Sequence, residues 1–171
     1  MRYTLIRITM ASLWITSACK WGDLKNWRRY YPTMLFFGMG NLVYHLVFCD
    51  KPLWKFQPDI IVPAINELFI IFTIFFATTL LFLSNLPKKL SHKVAYIALW
   101  VAIYISIELF TTSIGMQKNY NGWNIWWSVL HNVVVFPSLI IHHKNPILAW
   151  IIAFILLGFI MKIFNIPFLQ K

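Results

Sequence analysis

Long apolar runs separated by short polar segments recur along the whole chain. Each run approaches the roughly 20 residues that an α-helix needs to cross a bilayer. None shows the alternation of a membrane barrel strand, so strands are not expected. The pattern predicts an all-α, polytopic membrane helix bundle of five to six transmembrane helices in a single domain, residues 1–171. The predicted helices cover about 4–19, 33–49, 60–83, 94–114, 123–141 and 147–168.

The first run is the weakest, which leaves the number of spans at five or six. Arg7 shortens its apolar stretch, and it spans only if the Arg7 side chain snorkels to the membrane interface. The same stretch resembles a signal peptide, with early arginines, an apolar run and then Thr-Ser-Ala. Because five further runs follow, a retained helix is favoured over cleavage.

Composition agrees with a membrane protein. Hydrophobic residues make up 60% of the chain and charged residues 12%, about half the charged share of a soluble domain. The net charge of +10 comes from basic residues that flank the apolar runs. Such residues orient helices and contact anionic lipid headgroups. The expected partner is therefore the lipid bilayer of the cell membrane, and nucleic-acid binding is not expected.

The distribution of lysine and arginine predicts an orientation. The first, third and fifth loops carry Lys20, Lys25, Arg28, Arg29, Lys88, Lys89, Lys93 and Lys144, whereas the second and fourth carry Lys51, Lys55 and Lys118. This excess places the odd-numbered loops in the cytoplasm. The basic residues of the two tails oppose this orientation if all six segments span.

Polar residues inside the predicted helices concentrate near one end of the bundle. Because successive helices alternate in direction, these residues all fall on the side of the second and fourth loops. Polar groups at i+3 and i+4 spacing also share helix faces that should point inward. The candidate polar cavity consists of Asn41, His45, Glu67, Glu108, Asn124, Ser128, His131 and Asn132.

Three functions are compatible with this concentration. Interhelical hydrogen bonds that fix the packing are favoured, in a non-enzymatic protein that acts through packing, a membrane protein partner or homo-oligomerisation. The alternative is a small-solute binding or transport subunit, whose cavity takes a polar or cationic ligand or passes protons. An intramembrane enzyme has the least support, because the sequence shows no nucleophile–base–orienter set. No catalytic residue is assigned and no cofactor is expected.

Aromatic residues cluster near the ends of the apolar runs. The predicted interfacial anchors are Trp27, Trp54, Trp123, Trp126, Trp127 and Trp150. An aromatic belt at headgroup level is the favoured interpretation, and a ligand platform is the second. Between the fourth and fifth helices, Asn119–Gly122 predicts a turn, since Asn-Gly tolerates positive φ.

Cysteine and histidine positions give no metal site. Cys19 and Cys49 lie near opposite ends of consecutive runs and cannot form a disulfide if both runs span. His142 and His143 are adjacent on a predicted helix, where their side chains point about 100° apart. Such a pair rarely binds one ion, so no metal is expected.

Four blocks resemble a known family. They are WRRYYPTMLF, IELF, YNGWNIWWS and HHKNPILAW, between Trp27 and Trp150. In this order they are similar to an uncharacterised family of small multi-pass membrane proteins from spore-forming Firmicutes. The pattern matches at Tyr31, Pro32, Thr33, Glu108, Asn121, Gly122, Trp123, Trp127, Ser128, His143, Lys144, Pro146 and Trp150. It departs at Asn41, where an acid is expected, which argues against a proton relay. The resemblance implies a Gram-positive integral membrane protein and no particular activity.

Overall fold

The computed structural model describes residues 1–57 and 59–167. Within these residues the chain forms six helices, which confirms the all-α architecture. They are α1 Arg2–Trp21, α2 Trp27–Val47, α3 Pro63–Ser84, α4 Leu90–Ser113, α5 Ile125–Lys144 and α6 Pro146–Ile163. A short 3-10 turn, Leu24–Asn26, joins α1 to α2. The predicted end of the last helix at residue 168 lies outside the described residues, and α6 ends at Ile163.

Four of these helices are long and apolar enough to cross a membrane, namely α3, α4, α5 and α6. These four helices support the prediction that the chain is a membrane protein. Helices α1 and α2 have the length of a span but carry more polar residues. The larger number of five to six spans therefore stays a prediction.

Helix α1 is held by the segment that precedes α3. The Asp59 carboxylate accepts hydrogen bonds from the Thr4 backbone amide at 2.7 Å and the Thr4 hydroxyl at 3.0 Å, and it pairs with the Met1 ammonium. Asp59 thus satisfies an amide of the first helical turn, as an N-cap residue does. The Met1 ammonium and the Thr4 amide hold the pKa of Asp59 below its ordinary value.

The snorkelling of Arg7 that was expected as a condition for the first segment to span is not observed. The Arg7 side chain is only 3% exposed and points inward. Its guanidinium donates to the Gln57 carbonyl oxygen at 3.0 Å and lies over the Phe56 ring. The reason is that the segment after α2 folds over the start of α1 and supplies a carbonyl acceptor there.

The core is built around α3 and α5. Phe82 and Phe136 are fully buried and make an edge-to-face contact, with ring centroids 5.0 Å apart. Trp100 of α4 packs against both rings. Helix α1 joins through the Trp14 indole, which donates to the Thr78 hydroxyl at 2.7 Å. This aromatic packing fixes the helices at the end of the bundle opposite to Asp59.

Two short strands correct the expectation that the chain has none. Strand β1, Trp54–Phe56, pairs antiparallel with β2, Gln117–Asn119, so the second and fourth loops are joined. Periodicity missed them because three residues are too few to show alternation. The predicted turn before α5 is confirmed, with positive φ at Asn121 and Gly122.

Candidate ligand cavity

A cavity of about 310 Å³ lies between the helices and the β1–β2 sheet. All six helices contribute side chains to its wall, and so do both strands. Most of the wall is aliphatic or aromatic, and a small number of polar groups project into it. The volume lies at the lower end of the roughly 300–1,000 Å³ range of small-molecule sites.

The structure brings most of the predicted polar residues to this cavity. Six of the eight line it: Asn41, Glu67, Glu108, Ser128, His131 and Asn132. His45 stands outside the wall, and its Nε2 lies 3.0 Å from Glu67 Oε2. Asn124 instead caps α5, where its side-chain oxygen accepts from the amides of Trp126 and Trp127.

Glu67 is surrounded by hydrogen-bond donors. The Asn41 side-chain amide donates to Oε2 at 3.1 Å, and the Asn66 amide donates to Oε1 at 3.4 Å. His45 approaches the same carboxylate from α2. This carboxylate therefore links α2 to α3.

Glu108 has a different environment. The Ser128 hydroxyl donates to Oε1 at 2.7 Å, and the Asn119 amide donates to the same oxygen at 3.4 Å. The Trp123 indole in turn donates to the Ser128 hydroxyl at 2.8 Å. No lysine, arginine or histidine of the described residues lies within salt-bridge distance of Glu108. This carboxylate thus has neutral donors only.

Stacked aromatic rings form the wall beside Glu108. Tyr44 and Trp54 are nearly parallel with centroids 3.8 Å apart, and Trp123 lies 4.8 Å from Trp54. The His131 ring is 5.8 Å from Trp54. The Tyr44 hydroxyl holds β1 in place, because it donates to the Trp54 carbonyl and accepts from the Leu53 amide.

The predicted interfacial tryptophans divide into two groups. Trp27 and Trp126 are exposed at helix starts, and Trp126 is 76% exposed. Trp54, Trp123 and Trp150 line the cavity, and Trp123 is only 6% exposed. Trp127 is half-buried and packs on Trp123. The second interpretation, a ligand platform, thus describes the position of three of the six.

Sequence reasoning missed several lining residues. Arg7 lies in the wall, and its Nε has no hydrogen-bond partner among the described residues. Tyr44, Tyr104 and Gln117 also line the cavity. Tyr44 could have been predicted to line the cavity, because it follows Asn41 at i+3 on the same helix face. Gln117 could not, because its position depends on the pairing of β2 with β1.

The residues considered for metal binding have other contacts. His142 Nδ1 lies 3.0 Å from the Thr33 hydroxyl, and its ring stacks on Phe36. Cys19 and Cys49 are free and exposed. Among residues 1–57 and 59–167, no three His, Cys, Asp or Glu side chains form a group that could hold a metal ion.

Comparison with known proteins gives no relative: no family model, no curated protein and no solved structure matches the chain. The resemblance to a Firmicutes family therefore stays a prediction.

Proposed function

We propose that the protein binds a small solute within the membrane, as a binding or transport subunit. The observation that carries this proposal is the cavity of about 310 Å³ with walls from all six helices. Its mostly apolar walls and few convergent polar groups are the usual composition of small-molecule sites. Protein interiors are close-packed, so an interior space of this size is a feature in its own right.

A role in packing or partner binding is the second candidate. The Glu67 cluster supports packing, because its hydrogen bonds join α2 to α3. The outward face of α6 is apolar and exposed, with Ile151, Ile155 and Phe159 among its residues. That face suits a bilayer, a second copy of the chain or another membrane protein. Neither feature accounts for the interior space.

A thermal-shift screen with small amphipathic solutes tests the proposed function. A solute present at 100 times its Kd stabilises the folded state by about 2.7 kcal/mol, so the melting temperature of the protein should rise. Ala153→Phe should abolish the shift, because Ala153 lines the cavity and the added ring occupies it. The matched control is Ala98→Phe on an exposed part of α4. No shift with any solute, or equal shifts in both variants, would contradict the proposal.

We further propose that six helices cross the cell membrane and that β1 and β2 face outward. The excess of basic residues in the odd-numbered loops supports this orientation. In a Cys19→Ser/Cys49→Ser background, Lys118→Cys should react with an impermeant maleimide on intact cells. Lys89→Cys should react only after permeabilisation. The reverse pattern would invert the topology.

A further inference from the structure

The charges around the cavity point to the class of solute, given that the proposed function holds. We propose that the cavity binds an organic cation, a protonated amine or a quaternary ammonium on an apolar group, with its charge beside Glu108. The apolar group then occupies the remainder of the cavity. Four observations carry this inference: an uncompensated carboxylate, the opposite signs of the other charges in the wall, the aromatic wall and the mostly apolar remainder.

Glu108 is the uncompensated carboxylate. Its Oε1 accepts from Ser128 and Asn119, and its Oε2 accepts no hydrogen bond from the described residues. The residue lines the cavity, so a molecule inside can reach it. An ionised carboxylate with neutral donors only is costly in a low-dielectric interior. A cationic ligand would remove that cost by supplying the counter-charge.

The other two charged residues of the wall, Arg7 and Glu67, carry opposite charges. Arg7 makes no ion pair within 4 Å of an Asp or Glu among the described residues, and its guanidinium donates to the Gln57 carbonyl. Glu67 lies against His45. These charges compensate one another at the α1 side of the cavity. Glu108 lies at the α4–α5 side, so a bound cation there has a carboxylate of its own.

Arg7 gives further evidence that the cavity binds a molecule with polar atoms. Its Nε is buried without a hydrogen-bond partner among the described residues, and its side chain lines the cavity. A buried donor without an acceptor destabilises the folded protein. Water or an acceptor atom on the ligand would satisfy it. This requirement is compatible with a cation that also carries a hydroxyl or carbonyl group.

The aromatic wall favours a cation over a neutral donor. Trp123 is joined to Glu108 through the Ser128 hydroxyl, and Trp54 stands 4.8 Å from Trp123. The faces of tryptophan and tyrosine rings attract ammonium groups, and grouped rings recognise quaternary ammonium ligands. A carboxylate beside aromatic rings therefore favours a ligand with a positively charged group over one with an anionic group.

Most of the remaining wall is apolar. Phe36, Phe37, Ile74, Phe75 and Leu157 line it. These side chains offer no hydrogen bonds, so a small, fully hydrated ion would lose its water without replacement. An apolar body attached to the ammonium gains by leaving water instead. The ligand class is thus an amphipathic amine rather than an inorganic cation.

Calorimetric titration of the purified full chain in phosphatidylcholine nanodiscs tests this inference. Three probes share a phenyl group and differ in charge: phenethylamine, 2-phenylethanol and 3-phenylpropionate. Empty nanodiscs give the contribution of partition into lipid. Both molecules can donate a hydrogen bond to Glu108, but only phenethylamine also supplies a positive charge, so it should bind at least about tenfold more tightly than the alcohol. The carboxylate should bind most weakly.

Two variants locate the charge that is responsible. Glu108→Gln should remove the preference for phenethylamine and leave the affinity for 2-phenylethanol unchanged. The matched control is Asp50→Asn, which removes the same charge from an exposed residue of the second loop and should keep the preference. The comparison of the three probes on the unmodified chain needs no variant, so the inference can fail even if Glu108→Gln does not fold.

The outcomes separate the inference from the proposed function. If the alcohol or the carboxylate binds as tightly as the amine, and Ala153→Phe abolishes that binding, the solute-binding function stands and the cation is excluded. If none of the three probes binds while another solute raises the melting temperature in the screen, the cation inference is overturned and the solute-binding function stands. If Asp50→Asn lowers the preference as much as Glu108→Gln does, general surface charge is responsible and the inference is overturned.

Discussion

At the residue scale, two glycines on α2 show how one helix can serve both packing and the cavity. A Cβ atom added to Gly38 would lie 2.6 Å from Ile71 Cγ2, so the glycine lets α2 approach α3 closely. A Cβ added to Gly40 would meet nothing within 4 Å. The sequence does not distinguish the two glycines. The structure shows that Gly38 lies at a helix–helix contact and that Gly40 faces open space.

This pair gives a matched prediction. Gly38→Ala should lower the melting temperature, because overpacking typically costs about 1–3 kcal/mol. Gly40→Ala has the same change in helix propensity without the clash, so it should be neutral or stabilising. Thermal unfolding in one detergent measures both variants. Equal melting temperatures of the two variants would contradict the close approach of α2 to α3 at Ile71.

Tryptophan positions show where residue type alone is insufficient. Trp123 and Trp126 both lie at the predicted start of a helix, so the same interfacial role was predicted for both. Trp126 is exposed, whereas the Trp123 indole is buried and donates to Ser128. The difference depends on which side of the Asn124 cap each residue lies and on the neighbouring β1 strand. Neither is visible from hydropathy.

At the element scale, the helices could be predicted and the strands could not. Long apolar runs carry a strong signal, and each of the six predicted segments coincides with a helix, with boundaries that differ by several residues at most ends. The main difference between prediction and structure is in the loops, which contain two strands that were not predicted. Strands β1 and β2 lie 60 residues apart in sequence and pair through three residues each. Their pairing requires the helices to bring the two loops together first.

A disulfide cross-link tests the strand pairing. Lys55 and Lys118 are directly opposite in the register, and both side chains are exposed. Opposed residues of antiparallel strands have Cα atoms about 4.5–5.5 Å apart, within the range that a disulfide bridges. Lys55→Cys/Lys118→Cys in a Cys19→Ser/Cys49→Ser background should cross-link on mild oxidation and migrate faster on a denaturing gel.

The control for the cross-link is Lys55→Cys with Lys89→Cys, since Lys89 begins α4 at the opposite end of the bundle. This second pair should not cross-link. Failure of the first pair, or equal yields for both, would contradict the sheet that joins the second and fourth loops.

At the scale of the whole molecule, helix alternation was enough to predict that the polar residues gather at one end. Asn41, Glu67, Glu108 and Ser128 do line one cavity. The sequence predicted a candidate cavity there but not its volume, because the volume is the difference between helix separation and side-chain size. The part played by Arg7 was also hidden, since it depends on the segment that folds over α1.

The most direct measurement of the central claim, an interior cavity that admits a small solute, is the reactivity of one cysteine within it. Val135 lines the cavity, and Lys118 of β2 is exposed in the fourth loop. In the Cys19→Ser/Cys49→Ser background, the positively charged reagent 2-aminoethyl methanethiosulfonate should modify Val135→Cys in the folded protein. Ala153→Phe or bound phenethylamine should slow this reaction and leave Lys118→Cys unaffected. If Val135→Cys reacts only after denaturation, while Lys118→Cys reacts in the folded protein, the cavity does not admit solutes and the account is wrong.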